Sequence, residues 1–413
     1  MTHDAVIVGG GLAGLCCARH LHRVGLRPLI LEAADAVGGR VRTDVVDGFR
    51  IDRGFQVFLT SYPEAWRELD YAALRLRPFR PGALVRFAGA FHRLTDPWRR
   101  PLAALGSLFA PVGTLADKLR VGRLRSRVLA GAVEDRFRDP ETTTLQALRD
   151  AGFSGAMIER FFRPFLGGVF LERELQTSSR MFGFVFRMFA AGDACLPEEG
   201  MEAIPRQLAA GLPPGTVRLG TRVAEVGVDS VRLESGEEVR GRAVVVAAEA
   251  PSAARLLGDT APAAGNGVTC VSFAAPRAPV AEPILVLDGE GRGPVNNLCV
   301  PTAVAPSYGP AGQHLVSATV LGVPADEPRL LADVRGQLAD WFGPEVADWR
   351  HLRTDRIAYA LPRQAPPALA EPERPVRVRP GLYVCGDHRD NASIQGAMVS
   401  GRRAAEAVRG DLA

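Results

Sequence analysis

The stretch Ala5-Val6-Ile7-Val8-Gly9-Gly10-Gly11-Leu12-Ala13-Gly14 decides the fold of this chain. The four apolar residues Ala5–Val8 predict a short strand buried on both faces of a parallel sheet. The glycines that follow let the backbone turn tightly and approach a pyrophosphate closely. A helix predicted from Ala13 to about Val24 directs its positive end at that group. The stretch therefore predicts the start of a dinucleotide-binding βαβ unit.

A second buried strand and an acidic residue complete this unit. Pro28–Leu31 predicts the strand, and Glu32 follows it about 20 residues after the glycines, as this motif requires. A carboxylate at this position accepts hydrogen bonds from the ribose hydroxyls of the adenosine half. It also repels a 2′-phosphate, so NADP is disfavoured as the occupant.

Composition excludes several classes of protein. The 413 residues are 47% hydrophobic and 23% charged, which rules out disorder and supplies a large core. A net charge of +4 without a basic arm gives no indication of a nucleic-acid partner. The six cysteines and seven histidines form no metal-ligand pattern, so we expect no metal. No signal peptide or membrane span is recognisable, and we expect a cytoplasmic protein.

A second glycine pair indicates which dinucleotide is bound. Gly38-Gly39-Arg40 follows Glu32 closely and allows a second close approach of the backbone, while Arg40 can neutralise a pyrophosphate. NAD enzymes have no need for this. The arrangement resembles the start of FAD-dependent oxidoreductases of the flavin amine oxidase, protoporphyrinogen oxidase and phytoene desaturase superfamily.

Segments in the middle and at the C-terminus resemble the same superfamily. Gly200–Pro205 resembles its GMxxIP segment, and Val223 lies where its backbone usually holds the adenine. Gly381–Asp387 with the following helix is similar to its last motif. The resemblance implies that Asp387 binds the ribityl or phosphate part of FAD. It also implies a helix beginning at Ile394 whose amide end faces the flavin N1–C2=O edge, where reduction builds negative charge.

The resemblance implies an α/β fold and FAD as the cofactor. We expect a Rossmann-like FAD-binding domain, a parallel sheet plus a β-meander over Thr216–Arg242, with an interleaved α+β substrate domain. The FAD-binding domain is predicted at 1–79, 195–261 and 356–413, and the substrate-binding domain at 80–194 and 262–355. The FAD is expected to be noncovalent, because Asn391–Gln395 contains no cysteine or histidine for attachment. The residues assigned to FAD are Gly9, Gly11, Leu12, Ala13, Gly14, Glu32, Ala33, Gly38, Gly39, Arg40, Gly54, Phe55, Gln56, Val223, Gly386, Asp387 and Ile394.

Two departures from the superfamily bear on the substrate. Flavin amine oxidases usually carry a lysine that holds a water against flavin N5, but the single lysine here, Lys118, lies far from the matching strand around Thr269–Phe273. Ser393 stands where such enzymes often have one aromatic residue of a substrate-flanking pair. An activated C–H bond can instead pass a hydride directly to N5 when the site holds it close.

We therefore expect an oxidoreductase for a small apolar unsaturated substrate, isoprenoid-, carotenoid- or porphyrinogen-like. Oxygen, a quinone or another acceptor would take the electrons. A flavin amine oxidase, a redox-neutral flavin isomerase and a non-catalytic prenyl-binding protein resembling the Rab GDP-dissociation inhibitors remain alternatives. The oligomeric state stays open.

A phenylalanine-rich stretch allows two interpretations. Nine of the 19 phenylalanines lie between Phe153 and Phe189, interleaved with arginines. They form either an ordinary core or an apolar tunnel and membrane-facing surface. Gln56, Phe170 and Tyr359 are the substrate candidates. His388 is expected to hydrogen-bond within the cofactor loop, and no residue is assigned as a catalytic acid or base.

Replacing Glu32 or Asp387 by alanine is expected to weaken FAD binding in a folded protein. Each change removes charge-assisted hydrogen bonds of roughly 1.5–3 kcal/mol, which corresponds to about one to two decades in affinity. The measurement is the flavin absorbance retained after extended dialysis. Full occupancy in both variants would show that the cofactor is misplaced.

Overall fold

The computed structural model describes residues 3–104, 106–107, 110–259 and 264–413. The strands of these ranges are β1 (Ala5–Val8), β2 (Pro28–Leu31), β3 (Thr43–Val46), β4 (Phe49–Asp52), β5 (Phe58–Leu59), β6 (Arg77–Pro78), β7 (Gly82–Phe87), β8 (Ala90–Thr95), β9 (Ala194–Leu196), β10 (Val217–Arg218), β11 (Val223–Val226), β12 (Ser230–Leu233), β13 (Glu238–Arg240), β14 (Val244–Val246), β15 (Gly265–Ala275), β16 (Leu285–Asp288), β17 (Val295–Cys299), β18 (His314–Leu321), β19 (Arg350–Pro362), β20 (Arg377–Arg379) and β21 (Leu382–Val384).

Helices connect these strands. They are α1 (Leu12–Arg23), α2 (Pro63–Glu68), α3 (Tyr71–Leu74), α4 (Pro101–Ala104), α5 (Leu115–Leu129), α6 (Thr144–Asp150), α7 (Gly155–Met157), α8 (Arg163–Phe170), α9 (Ser179–Ala191), α10 (Ala203–Ala210), α11 (Ala250–Leu257), α12 (Pro301–Val304), α13 (Glu327–Phe342) and α14 (Ile394–Leu412). A π-helical turn, Ile158–Phe162, joins α7 to α8.

The predicted parallel sheet forms around the N-terminal strand. In the described ranges its strand order is β10-β2-β1-β14-β21-β20, and only the edge strand β20 runs antiparallel to its neighbour. Every residue of β1, β2, β14 and β21 is buried, as the unbroken apolar runs predict for a sheet covered on both faces. The α/β prediction is confirmed.

The β-meander is shorter than the sequence suggests. Strands β11, β12 and β13 form an antiparallel three-stranded sheet. The start of the predicted meander, residues Thr216–Leu219, instead supplies β10, which pairs in parallel with β2. That assignment was wrong because the edge of β2 offers unpaired backbone groups: Ile30 N donates to Thr216 O at 2.7 Å, and Glu32 N donates to Arg218 O at 3.0 Å.

A second, seven-stranded sheet has the order β19-β15-β18-β17-β16-β7-β8 in the described ranges, antiparallel except where β16 meets β7. One face is apolar: Phe273 and Val316 pack with Leu338 and Trp341 of α13. The domain division stays a prediction. Its border at residue 356 falls inside the continuous strand β19, and its border at 261/262 lies outside the described residues.

The phenylalanine-rich stretch is largely core. Phe153, Phe162, Phe170, Phe182 and Phe184 are buried, and the other four pack partly buried against the same cluster. The interleaved arginines bond inside the protein; Arg180, for example, donates to Asp139 O and Leu369 O at 2.7 Å each. The observed packing favours the core interpretation over the tunnel.

Helices α1 and α14 pack backbone to backbone beneath the parallel sheet. A Cβ added at Gly401 would lie 2.2 Å from Ala13 O, whereas one added at Gly410 of the same helix would meet nothing within 4 Å. The close approach of the two helices therefore requires a glycine at position 401. Position 410 has room for a side chain and does not require one.

Gly401→Ala is expected to destabilise the apoprotein by about 1–3 kcal/mol, because α14 must move away from α1. The matched control Gly410→Ala should be neutral or slightly stabilising, since alanine is the better helix former. Denaturant midpoints of both variants measure the difference. Equal midpoints would contradict the packing described here.

Candidate functional site

The first glycine turn separates into structural and ligand-facing positions. Gly9 has φ +112°, and a Cβ added at Gly14 would lie 2.1 Å from Gly9 O, so these two glycines are needed to form the turn. A Cβ at Gly11 would meet nothing within 4 Å. Gly11 precedes Leu12 and Ala13 at the N-terminus of α1, so the turn leaves open space where an anion meets the helix.

The second glycine pair lies directly against the first. Gly38 N donates to Gly10 O at 2.8 Å, and Gly38 pairs with Gly11 in an isolated parallel bridge. Gly38 and Gly39 have φ values of +121° and +59°, which side chains rarely adopt. Two bare backbone loops thus border one cleft.

Glu32 has a role that its motif position did not reveal. Its Oε2 accepts from Gly10 N at 2.6 Å and its Oε1 accepts from Ala34 N at 2.7 Å, so the carboxylate closes the glycine turn. An ionised carboxylate accepts about four hydrogen bonds, which leaves capacity for ribose hydroxyls. The backbone carbonyl of Glu32 accepts from Thr221 N at 2.8 Å. This bond brings the chain leading into Val223 alongside Glu32 and Ala33.

Arg40 and Asp387 form an ion pair across the cleft. Arg40 Nη2 lies 2.7 Å from Asp387 Oδ2, and Nη1 donates to Ala360 O at 2.7 Å. Burial opposes the charge of Arg40, but the neighbouring carboxylate outweighs it and raises the Arg40 pKa. Asp387 is 3% exposed, and its Oδ1 has no hydrogen-bond partner among the described residues. An unsatisfied buried carboxylate oxygen suits a ligand hydroxyl.

The last helix starts where the sequence predicts. Helix α14 begins at Ile394, and Ser393 caps it by accepting from Gly396 N at 3.0 Å. Gln364, which carries no sequence signal, fixes the preceding loop: its Oε1 accepts from Ala392 N at 2.9 Å and its Nε2 donates to Asp390 O at 2.8 Å. The helix therefore presents unpaired amides from a rigid position.

The loop before α14 is equally constrained. Gly386 has φ +147°, its N donates to Ser400 Oγ at 2.9 Å, and an added Cβ would meet the His388 ring at 2.6 Å. Burial lowers the pKa of His388 to about 4, so the imidazole is neutral at physiological pH. Its Nδ1 has no partner in the described ranges. The hydrogen bond expected for His388 within the cofactor loop is therefore not seen at Nδ1, and its role toward the cofactor stays a prediction.

Gly54, Phe55 and Gln56 connect the glycine loops to the seven-stranded sheet. Gln56 Nε2 donates to Arg40 O at 2.8 Å. The Gln56 side-chain amide, predicted to contact both cofactor and substrate, therefore already holds the second glycine loop in place. Phe55 N donates to Cys270 Sγ at 3.2 Å. An added Cβ at Gly54, where φ is +82°, would lie 2.9 Å from Ile357 Cδ1.

The two other substrate candidates lie on either side of the start of β15. The Tyr359 ring packs against Gly265 and lies 5.9 Å from Arg40 Cζ. Its hydroxyl has no partner in the described part of the chain, and burial raises its pKa. Phe170 is a buried core residue whose carbonyl accepts from Asn266 Nδ2 at 2.9 Å. The structure thus places Tyr359 beside the Arg40–Asp387 pair and Phe170 deeper in the protein.

Sequence reasoning missed Asp52, a partly buried carboxyl group next to Gly54 and Phe55. Asp52 accepts from Tyr308 Oη and Met201 N, each at 2.9 Å, and from Thr43 Oγ1. Burial raises its pKa to about 6. The signal in the sequence was an acid at the end of the alternating strand Phe49–Asp52. Asp52 fixes the Gly200–Pro205 segment against the β3–β4 hairpin.

The described ranges contain no group of three or more His, Cys, Asp or Glu side chains able to hold a metal ion. Within the same ranges, none of the helices combines the length and apolar character needed to cross a membrane.

Comparisons with known proteins agree with this geometry. The model of the family described as flavin containing amine oxidoreductase matches residues 12–409. The chain belongs to this family, and its cofactor is FAD. The two glycine loops, the helix N-termini and the unpartnered Asp387 oxygen fit that group.

Similar proteins carry several activities in their names. Coproporphyrinogen III oxidase of Propionibacterium freudenreichii subsp. freudenreichii is 24% identical over 98% of this chain and 86% of its own length. Phytoene dehydrogenase of Streptomyces griseus is 28% identical over 91% of this chain and 79% of its own. Pseudooxynicotine dehydrogenase of Pseudomonas sp is 38% identical, but over only 18% of this chain and 15% of its own.

Solved structures share the fold. A putative protoporphyrinogen oxidase from Exiguobacterium sp. 255-15 has a TM-score of 0.72 at 19% identity, covering 100% of this chain and 99% of its own. Cyclohexylamine oxidase from Brevibacterium oxydans IH-35A has a TM-score of 0.70 at 18% identity, covering 100% of both chains.

Gly11→Ala is expected to leave the apoprotein stable but weaken FAD binding at least about tenfold, a loss of about 1.4 kcal/mol. The added methyl group meets no protein atom, yet it occupies the space through which a pyrophosphate approaches the backbone. The measurement is an FAD titration of the apoprotein beside its thermal unfolding. Gly336→Ala, an equally open position on α13, is the control, and equal affinities would exclude this role of Gly11.

Proposed function

We propose that this flavin oxidoreductase removes a hydride from an apolar unsaturated substrate of the isoprenoid or porphyrinogen type. FAD, when bound, accepts the hydride at its N5 position. The chain's own part is to bind the cofactor, orient the substrate and exclude water from the reacting atoms.

The main support for this proposal comes from the side chains of β15 that lie beside Phe55. In this stretch, where flavin amine oxidases usually carry a lysine, the Cys270 thiol accepts from Phe55 N and the Thr269 hydroxyl donates to Gly322 O at 2.9 Å. Burial raises the pKa of Cys270 to about 11, so this thiol is neutral. The single lysine of the chain, Lys118, lies on α5. No amine is therefore available on this strand to hold a water against the flavin.

The position of Ser393 supports the same conclusion. Its hydroxyl is engaged as the N-cap of α14, where an aromatic ring of an amine-binding pair would otherwise stand. An ammonium substrate needs such polar or aromatic orienting groups, whereas an apolar substrate binds through about 25 cal/mol per Å² of buried apolar area.

The relatives that match nearly the whole chain are named for a porphyrinogen and for phytoene, both without an amine to be oxidised. The amine oxidases among the solved structures are under 20% identical and support the fold alone. The buried phenylalanines do not themselves supply a tunnel.

The test is anaerobic stopped-flow bleaching of the flavin absorbance. A phytoene-like polyene and a porphyrinogen are compared with a primary amine and a polyamine. We expect bleaching by one of the first two at a rate at least about tenfold above any amine, equivalent to 1.36 kcal/mol in the barrier.

Each other outcome identifies an alternative. Rapid bleaching by an amine alone would establish an amine oxidase. Product formation without net bleaching or acceptor consumption would establish an isomerase. A protein purified without flavin, and unable to take it up, would point to prenyl binding and overturn the proposal.

A further inference from the structure

A small cavity lies between the end of β4 and the polar face of the seven-stranded sheet. Its volume of about 20 Å³ exceeds the roughly 10–15 Å³ that one water molecule requires. Its polar lining residues are Asp52, Ser272, Tyr308 and Ser317, and its apolar ones include Phe55 and Leu196. We call this cavity the Asp52 chamber.

Two serines form the sheet side of the chamber. Phe273 and Val316 belong to the apolar face that packs on α13, so their neighbours Ser272 and Ser317 point to the opposite face. The two serines are paired in register on β15 and β18 and are 2% and 8% exposed. Neither hydroxyl has a hydrogen-bond partner among the described residues. Buried hydroxyls without a protein partner are satisfied by ordered water.

The Asp52 carboxyl group forms the opposite side, and one of its oxygens keeps a free lone pair. Its Oδ1 accepts from Thr43 Oγ1 and Met201 N, which fill both acceptor positions of that oxygen. Its Oδ2 accepts from Tyr308 Oη at 2.9 Å and from no other described residue. Since a carboxylate offers about four acceptor positions, Oδ2 can bind one further donor or a proton.

The groups facing Asp52 leave its charge uncompensated. Burial raises its pKa to about 6, and the neighbouring Glu202 adds to this rise. Tyr308 and Cys299 also face Asp52, and burial raises the pKa of each, so both are neutral. No cation pairs with Asp52 in the described part of the chain. Asp52 is therefore mostly ionised at neutral pH, yet it binds a proton more readily than an ordinary aspartate.

The chamber lies beside a residue assigned to the cofactor. Phe55 lines it and also donates from its backbone to Cys270, on the strand that usually carries the lysine in flavin amine oxidases. An apolar substrate that becomes unsaturated loses two hydrogens, one as a hydride and the other as a proton. This proton needs an acceptor inside the site, because the site excludes bulk water from the reacting atoms.

We propose that the Asp52 chamber holds one water molecule that takes the substrate proton and passes it to Asp52. This inference rests on the proposed function. One C–H bond of the substrate breaks and gives its hydrogen with both electrons to FAD. A second C–H or N–H bond gives its proton to the water, and the electron pair left behind forms the new double bond. The water passes one of its own protons to Asp52 Oδ2, so the substrate is oxidised by two electrons and the water is restored.

The first test is the pH profile of anaerobic flavin bleaching, from about pH 5 to about pH 8, in the parent and in Asp52→Asn. The donor is whichever polyene, porphyrinogen or amine bleaches the parent fastest. We expect the parent's rate to fall as the pH drops through about 6. Asp52→Asn should be about 100-fold slower above neutral pH and should lack this fall, because an amide takes up no proton.

Asp288 provides a matched control on the same sheet. It ends β16, and burial raises its pKa to about 6 as well. Asp288→Asn should therefore keep both the rate and the pH profile of the parent. FAD affinity and unfolding midpoints equal to the parent's show that the variants remain folded and loaded.

The second test closes the chamber from the sheet side. Ser272 and Ser317 act as positioning residues, since their hydroxyls hold the water rather than the substrate. Ser317→Val fills the space with methyl groups, in a strand that valine suits, and should slow bleaching about as much as Asp52→Asn. Ser317→Ala keeps the space and removes one neutral hydrogen bond, so its rate should stay within about fivefold of the parent's.

The third test needs no donor. A crystal structure of the FAD-loaded protein should show one ordered water within hydrogen-bond distance of Asp52 Oδ2 and of a serine hydroxyl in the chamber. The same water should be absent from Ser317→Val.

Three results would overturn the inference: a chamber without water, an Asp52→Asn profile that keeps the parent's fall below about pH 6, or an equal effect of Asp288→Asn. Bleaching by amines alone would overturn the proposed function instead. The pH comparison would still decide the role of Asp52 in that case, because a protonated amine also loses a proton when it is oxidised. Bleaching of the parent by none of the donors would overturn both.

Discussion

The ion pair between Arg40 and Asp387 is the constraint on which the site depends. It joins the second glycine loop to the loop before the last helix, and Arg40 also holds the carbonyl of Ala360 at the end of β19. The Asp387 carboxylate is buried while the Arg40 side chain is 30% exposed, so removing Arg40 would leave a desolvated carboxylate without its cation. Arg40 therefore both holds segments distant in sequence together and keeps positive charge where an anionic cofactor binds.

The rest of the site is arranged around this pair by backbone contacts that exclude side chains. Gly9, Gly14, Gly38 and Gly401 each lie so close to another main-chain atom that a methyl group would collide with it. Gly11, by contrast, faces open space at the N-terminus of α1. The cleft is thus formed by tightly packed backbone on the protein side and kept free on the ligand side, as pyrophosphate binding at a helix N-terminus requires.

The seven-stranded sheet gives the site its second wall and shows why the substrate is hard to infer from sequence. Its apolar face packs on α13 around Phe273. Its other face carries small polar groups: Cys270 and Thr319 are paired in register, as are Ser272 and Ser317. The alternation along β15 is visible in the sequence, but which of its faces lies toward Phe55 is decided by the contact of Phe55 with Cys270. That contact joins segments about 200 residues apart.

The sequence by itself determined the βαβ unit, the α/β fold, the cofactor class and the start of α14 at Ile394. These features depend on short-range chemistry: unbroken apolar runs, glycines at turns and a capping serine within a few residues of one another. Only the tertiary structure decided that β10 joins the parallel sheet, that the phenylalanines form core, and that Gln364, Asp52 and Tyr308 support the site. Each of these depends on partners distant in the chain, and local propensity carries no information about which distant backbone edge or buried carboxylate a residue will meet.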